Sequence, residues 1–338
     1  MDGIRILRGL LMDKIQLLEF LHTLVSHNVI SQNAYKCRYD GFNGELDFIC
    51  WLKKHRPSIK YASGGTFIPL VKTDNSFEDS VYFTVAPREE SFVECQLEKV
   101  SLLSLKGQYL FTYDPYEPWS SWSNFSISSE SGSIEFSIPS SFSVQKYNSH
   151  KHEFELSDIE QFLLQVGFSP YFRCTVDIPD GLKQKYIEKL SSYSTEELLS
   201  LYLTRFVFDG LCGLGNGRGA PLDIDFFVQR KTGGWCILEV KEKDKSKRKD
   251  PPPGFGMDVR RIKSLLELES KLDLSAYYLV RHINDQKSRN FIDWRIINMK
   301  KFDARASKLP VQGGVGMGRS GSDNPTRICE FSEFAKLY

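Results

Sequence analysis

The chain has 338 residues, 41% of them apolar and 13% aromatic, with a formal charge of +1. That composition excludes pervasive disorder, no apolar run approaches the length of a membrane span, and the length suits two moderate cores better than one large one. Cys37, Cys50, Cys95, Cys174, Cys212, Cys236 and Cys329 are odd in number, scattered and without a C-x-x-C pair, which argues against a disulfide framework and structural zinc. Several of these cysteines lie in apolar runs and read as small core residues in a reducing compartment. The six histidines show no metal-ligand spacing. Charge is uneven: Lys241 onward carries 21 Lys and Arg against 13 Asp and Glu, leaving 23 against 30 before it. Such an excess suggests a surface that faces a polyanion, or one that is merely solvated.

Taken in chain order, residues 1–30 carry an apolar stripe of Leu10, Leu11, Ile15, Leu17, Leu18, Leu21 and Leu24, interrupted by Asp13, Lys14 and Glu19. The pattern predicts an amphipathic helix rather than a signal sequence, and with it a cytoplasmic protein. Residues 44–54 mimic an acidic strand, but no Glu-x-Lys follows at a suitable distance, so they read as an ordinary amphipathic segment. Strand-like runs follow at 66–71, 80–85, 91–97 and 109–113, and the alternation at 133–138 predicts another. Tyr113, Tyr116, Trp119, Trp122 and Phe125 lack interleaved basic residues, so packing or a protein interface competes with base stacking. Residues 148–152 read as a linker. The expected division is therefore 1–150, a helix plus a β-rich module, and 151–338, a second domain. No internal repeat is visible.

In the second part, Ser157 with Glu160 and Ser194 with Glu197 form capping-box patterns that predict helices over 157–166 and 195–209. The glycine-rich stretch 212–219 leads into a strand instead of following one into a helix, so it fails the test for a dinucleotide loop. Beyond Lys241, residues 242–250 and three prolines make an exposed loop. There Lys245, Lys247, Arg248 and Lys249 either contact phosphates or are simply solvated. A helix is predicted over 258–272, with Arg260 and Arg261 beside its apolar side, and strands over 276–282 and 294–299. The glycine-rich residues near 311–325, with Arg319 and then Arg327, read as a flexible loop rather than a phosphate contact.

The most informative stretch runs from Pro221 through Asp223, Asp225 and Phe226, a Gly233-Gly234 turn, and Ile237-Leu238-Glu239-Val240-Lys241. Side chains alternate along strands, so the two aspartates share one face of the first run, and Glu239 and Lys241 share one face of the next. Charges on core strands are costly unless they are paired or used. Converging carboxylates offer hard oxygen ligands for Mg²⁺, and a lysine beside them can orient a water. A cross-strand ion-pair ladder on a solvated face is the plainer reading. Asp225 is preferred to Asp223 as the ligand.

Asp225-Phe226, the glycine turn and Glu239-Val240-Lys241 resemble the signature of the PD-(D/E)XK nuclease superfamily. The resemblance covers roughly the last 150 residues, and Pro221 stands four positions before Asp225 rather than directly before it. It implies a restriction-endonuclease-like α/β fold, a mixed sheet flanked by helices, here following the N-terminal helix plus β-rich module. The usual first strand ahead of the acidic one is not evident. The resemblance further implies that Asp225, Glu239 and the Val240 carbonyl hold Mg²⁺, with Mn²⁺ as an alternative, and that Lys241 assists the attacking water. Relatives also use an acid on the preceding helix, for which Glu197 or Glu196 is the candidate, although Glu197 also suits a helix cap. The implied activity is a metal-dependent DNA endonuclease of restriction or phage defence, acting away from membranes. A homodimer or a partner protein would accompany it. The competing readings are an inactive nuclease-fold subunit that binds DNA or a partner, and an RNA nuclease. No P-loop pattern occurs, so no ATPase is implied.

Overall fold

The computed structural model describes residues 2–71, 77–90, 92–172, 175–213, 221–231, 233–247, 250–312 and 325–338, with side chains from Lys14 onward except at Gln312. In chain order, the N-terminal elements are α1 (Asp2–Ser26), α2 (Gln32–His55), β1 (Tyr61–Ser63), β2 (Thr66–Pro69), β3 (Ser80–Pro87) and α3 (Val93–Val100). Next come β4 (Gly107–Tyr113), β5 (Ser123–Ser129), β6 (Gly132–Ile138), β7 (Ser143–Asn148), β8 (Glu153–Ser157) and α4 (Ile159–Val166). They are followed by β9 (Tyr171–Phe172), α5 (Asp180–Leu190), α6 (Thr195–Arg205), which runs on into π-helical turns at Phe206–Cys212, and β10 (Leu222–Asp223). The remainder comprises β11 (Phe226–Gln229), β12 (Trp235–Lys243), β13 (Gly254–Asp258), α7 (Val259–Leu272) and β14 (Ser275–Ile283). Last are β15 (Phe291–Asn298), α8 (Met299–Arg305), β16 (Val311–Gln312), β17 (Pro325–Glu330) and β18 (Ala335–Lys336). The fold is mixed α/β, with several mixed sheets and none closed among the described residues.

Two compact units divide the chain, and neither is continuous: Met1–Tyr35 with Gly65–Asp223, and Lys36–Gly64 with Ile224–Tyr338. This differs from a break near residue 150. Residues 148–152 are the turn of a hairpin whose strands, β7 and β8, pair antiparallel within one sheet. The Asn148 side-chain oxygen accepts from the His150 and Lys151 amides and closes that turn. A polar, charged stretch of this kind resembles a linker in sequence because turns and linkers share a composition.

The first unit is built on the sheet β10-β2-β3-β4-β7-β8, in which only β3 and β4 run parallel. Parallel neighbours need a crossover, and α3 provides it. Residues 91–97 were expected as a strand, but Val93, Gln96, Leu97 and Val100 are buried at helical spacing. The Phe162 ring meets Phe111 at 5.0 Å, Tyr109 at 5.1 Å and Phe83 at 5.9 Å, edge to face, beside the sheet. Asp158, not Ser157, caps α4, by accepting from the Gln161 amide. Most of the aromatic segment is taken up in packing: Trp119 stacks on Trp122 at 4.1 Å, and Phe125 meets Phe206 at 5.2 Å, whereas Tyr116 is exposed.

The second unit is built on the sheet β1-β11-β12-β14-β15-β18, again with one parallel pair, β12 and β14. Gly233 and Gly234 both adopt positive φ and reverse the chain between β11 and β12, which favours glycine there. One sheet face, with Phe226, Val228, Cys236, Leu238, Val240, Leu279 and Trp294, packs on Phe48 and Leu52 of α2. Phe48 lies edge to face with Phe226 and Trp294, and truncating a buried ring of this kind costs about 3–5 kcal/mol. The segment at 44–54 is thus the core-facing part of a helix. On α7, Ile262, Leu265, Leu268 and Leu272 are buried; Asp258 caps its start, and Asp273, at positive φ, ends it.

Candidate functional site

Glu239 and Lys241 lie on the face of β12 opposite the one that α2 covers, because Leu238 and Val240 take the α2 side. The pairing of β11 with β12 runs from Gln229↔Trp235 to Phe226↔Leu238 and then stops. One residue further, the Asp225 carbonyl accepts from the Gly64 amide at 2.8 Å, towards β1. Its carboxylate Oδ2 accepts from the Val240 amide at 2.6 Å. The side chain of Asp225 therefore replaces a backbone acceptor where the two strands part. This fixes the carboxylate next to Glu239 without relying on a rotamer choice at the surface.

Lys241 Nζ lies 2.8 Å from Glu239 Oε1 and 3.8 Å from Asp225 Oδ2, so the three side chains converge. Arg261, from the first turns of α7, is ion-paired through Nη2 to the other oxygen of Glu239. Both carboxylates are almost fully enclosed, at 3% side-chain exposure for Asp225 and 1% for Glu239, whereas Lys241 is 40% exposed. Two buried anions facing two cations keep this cost tolerable. Glu239 Oε1 nevertheless accepts no aligned hydrogen bond, despite the nearby ammonium. Burial, reinforced by Lys241, lowers the affinity of the neighbouring Lys243 ammonium for its proton. Tyr278, paired with Glu239 in the β12–β14 ladder, is buried and donates to the Gly256 carbonyl at 3.1 Å. Burial and the Glu239 charge push its phenol well above the usual range, although Lys241 opposes this.

The donors the structure brings together for a cation are thus two carboxylates, hard oxygens, with the Val240 amide seated against one of them. The carboxylate oxygens that face Lys241 are the atoms a divalent ion could share. Among the described residues, no cluster of three or more His, Cys, Asp or Glu side chains forms a ready cage. Water and a phosphate oxygen would have to complete any coordination shell.

Not every residue singled out from the sequence joins this group. Asp223 is exposed and pairs with Thr66 in the first unit, so Asp225 is the aspartate that meets Lys241. Glu197 also belongs to the first unit and completes the capping box of α6: Glu197 N donates to Ser194 Oγ, and Ser194 N donates to Glu197 Oε2 at 3.0 Å. Lys245 sits over the Phe331 ring at 4.5 Å, and Lys247 is exposed near Asp285. Arg248 and Lys249 lie outside the described residues, as do Arg218 and Arg319. Arg260 is exposed at the start of α7, whereas Arg261 turns to Glu239 and is mostly buried. Arg327 binds the Ser307 carbonyl at 2.8 Å and the Asp303 carbonyl at 2.6 Å, a structural tie at the end of α8.

A second group of charges was missed in the sequence. Glu242, on the α2 side of β12, accepts from Arg281 Nη1 at 2.8 Å, Arg289 Nε at 2.6 Å and Asn43 Nδ2 at 3.2 Å. Asp47 holds Arg281 and Asp40 holds Arg289, so three carboxylates and two guanidiniums lock α2 onto β12 and β14. The only signal was position: Glu242 falls on the apolar side of the strand alternation, where a charge needs a partner.

No family model matches the chain, and neither does any curated protein or solved structure with which it was compared. Among the described residues, no helix is long and apolar enough to cross a membrane.

Proposed function

We propose that the chain is a metal-dependent nuclease of the PD-(D/E)XK type, which hydrolyses DNA phosphodiesters through Asp225, Glu239 and Lys241. The observation that carries this reading is the convergence of Lys241 Nζ on Glu239 at 2.8 Å and on Asp225 at 3.8 Å where β11 and β12 part. The element order supports it. Helix α2, three antiparallel strands β1, β11 and β12, then, after β13, helix α7 and the parallel strand β14 occur in this order in the second unit. The strand not evident in the sequence is β1, which 162 residues of chain separate from β11.

Asp225, Glu239 and the Val240 carbonyl would hold Mg²⁺ or Mn²⁺, which when bound polarises the phosphate and acidifies water. Lys241 is exposed enough to reach a water and lies beside both carboxylates. Its role is to position that water and to stabilise the negative charge that develops on phosphate oxygens. Water supplies the oxygen that bonds to phosphorus, one ester P–O bond breaks, and the leaving oxygen takes a proton. Arg261 orients Glu239 by holding its second oxygen. The basic surface after residue 240 supplies a sequence-independent attraction to the phosphate backbone. Restriction or phage defence is the setting that the resemblance implies.

The test is digestion of plasmid, single-stranded DNA and RNA with Mg²⁺ or with EDTA, using the parent chain, Asp225→Asn and Glu239→Gln. The expected result is metal-dependent DNA cleavage that both substitutions abolish. A parent that binds DNA but cuts nothing would favour an inactive binding subunit, and preferential cutting of RNA would reassign the substrate.

A further inference from the structure

The two units share one pairing plan. In the second, edge strand β1 pairs antiparallel with β11 and β11 with β12; β12 runs parallel to β14, and β15 and β18 follow antiparallel. In the first, β10, β2, β3, β4, β7 and β8 stand in the same relations. A helix fills the parallel crossover in each: α7 in one, α3 in the other. A helix also leads into each edge strand, α2 into β1, and α6 with its π-helical turns into β10.

Chain order adds a second correspondence. The pair α2–β1 runs on into β2, a strand of the first unit, while residues 36–63 belong to the second. Likewise α6–β10 belongs to the first unit but runs on into β11 of the second. Residues 32–157 and 195–336 thus present the same order of leading helix, six sheet strands and crossover helix, with β5 and β6 added in the first run and β13, α8, β16 and β17 in the second. Each run's leading helix and strand fall in the unit that holds the rest of the other. A short echo accompanies the exchanged helices: Tyr39-Asp40-Gly41-Phe42 and Phe208-Asp209-Gly210-Leu211. Both aspartates are buried and held by arginine, Asp40 by Arg289 and Asp209 by Arg205.

Matching the pairings places the catalytic positions. Thr66 pairs with Phe83 as Phe226 pairs with Leu238, so Gly65 stands where Asp225 does. By the same register, Thr84 stands for Glu239 and Ala86 for Lys241. No carboxylate or amine remains at these three places. Position 65 leaves no room for one either: a Cβ there would lie 2.3 Å from Tyr82 Oη and 2.4 Å from the Phe83 carbonyl oxygen. Thr84 and Ala86 are themselves buried.

We propose that the chain is a tandem duplication of one fold whose first copy is catalytically silent, so that each chain carries a single hydrolytic centre, in the second unit. This rests on the nuclease reading. The experiment compares the parent, the double variant Asp225→Asn/Glu239→Gln, and Thr84→Val, each as the full chain. Plasmid cleavage and Mn²⁺ binding, the latter by electron paramagnetic resonance, are read for all three. The double variant is expected to lose cleavage by more than ~10³-fold, and its specific Mn²⁺ signal as well, while Thr84→Val stays within about twofold of the parent in both. An active parent whose double variant still cuts or still binds Mn²⁺ overturns the inference and removes Asp225 and Glu239 as the site, while the metal-dependent nuclease activity itself stands. A Thr84→Val chain that melts like the parent yet is inactive overturns the inference but leaves the nuclease reading standing. A parent without cleavage or Mn²⁺ binding overturns both.

Discussion

Replacing Glu242 with glutamine tests the charge network that holds α2 against the acidic strand. The carboxylate is 1% exposed and faces two guanidiniums that are 11% and 17% exposed. Glutamine keeps the shape but removes the charge, and its amide hydrogens would point at a cation. Removing one partner of a buried pair costs about 3–5 kcal/mol, because it strands the other charge. Asp47 and Asp40 still hold Arg281 and Arg289, which places the expected loss near the lower limit, about 3 kcal/mol. For a unit of roughly 140 residues, each kcal/mol moves the melting temperature by about 4 °C, so the second unit should melt about 12 °C lower. Scanning calorimetry of the full chain reads the shift. Lys151 and Glu153, 3.3 Å apart and both largely exposed, form the control pair. Glu153→Gln should change stability by no more than about 0.5 kcal/mol. A Glu242→Gln shift as small as that of the control would refute the claim that this network anchors α2.

Three further predictions concern chemistry, association and pH. Lys241→Ala should keep Mn²⁺ binding and lose about 10²- to 10⁴-fold in single-turnover rate, the range for a positioned proton-handling group; an unchanged rate would remove Lys241 from the mechanism. Replacing Lys245, Lys247, Arg248 and Lys249 with glutamine should weaken DNA binding for all sequences alike, and the salt dependence should become shallower by roughly one unit per lost contact. An unchanged slope in a salt titration would move the DNA contact to Arg260. Burial, and then the nearby Glu196, raise the Glu90 carboxyl from 4.5 to about 7. The folded state therefore holds that proton more tightly than the unfolded chain does, and stability falls as pH rises through the window between these two values. Glu90→Gln should accordingly stabilise the first unit at pH 8, by at most about 3 kcal/mol, and leave it unchanged at pH 4. Equal melting shifts at both pH values would contradict this.

The parts of the protein legible in the sequence are those built from near neighbours. Asp225, Glu239 and Lys241 could be picked out because a tight glycine reversal joins two strands whose alternation sets the facing side chains. The box of Ser194 and Glu197 spans a single helical turn, and its geometry follows from the backbone alone. Where composition was the only guide, the reading failed. The 148–152 turn looked like a linker, and 91–97 looked like a strand until burial at helical spacing identified α3.

The tertiary structure alone decided which distant segments join. Strand β1 is only three residues long, too short for a periodic signal, and its partner β11 lies beyond the whole inserted run of the first unit. Glu242 could be recognised as one half of a network only once α2 brought Asp40, Asn43 and Asp47 alongside it. The repeated pairing plan is invisible in the residues because a sheet constrains hydrogen bonding and burial, not identity. Glycine, threonine and alanine satisfy the strand positions in one unit as well as aspartate, glutamate and lysine do in the other. Backbone pairing recurs at low cost in sequence, whereas a charged site exists only where its partners converge.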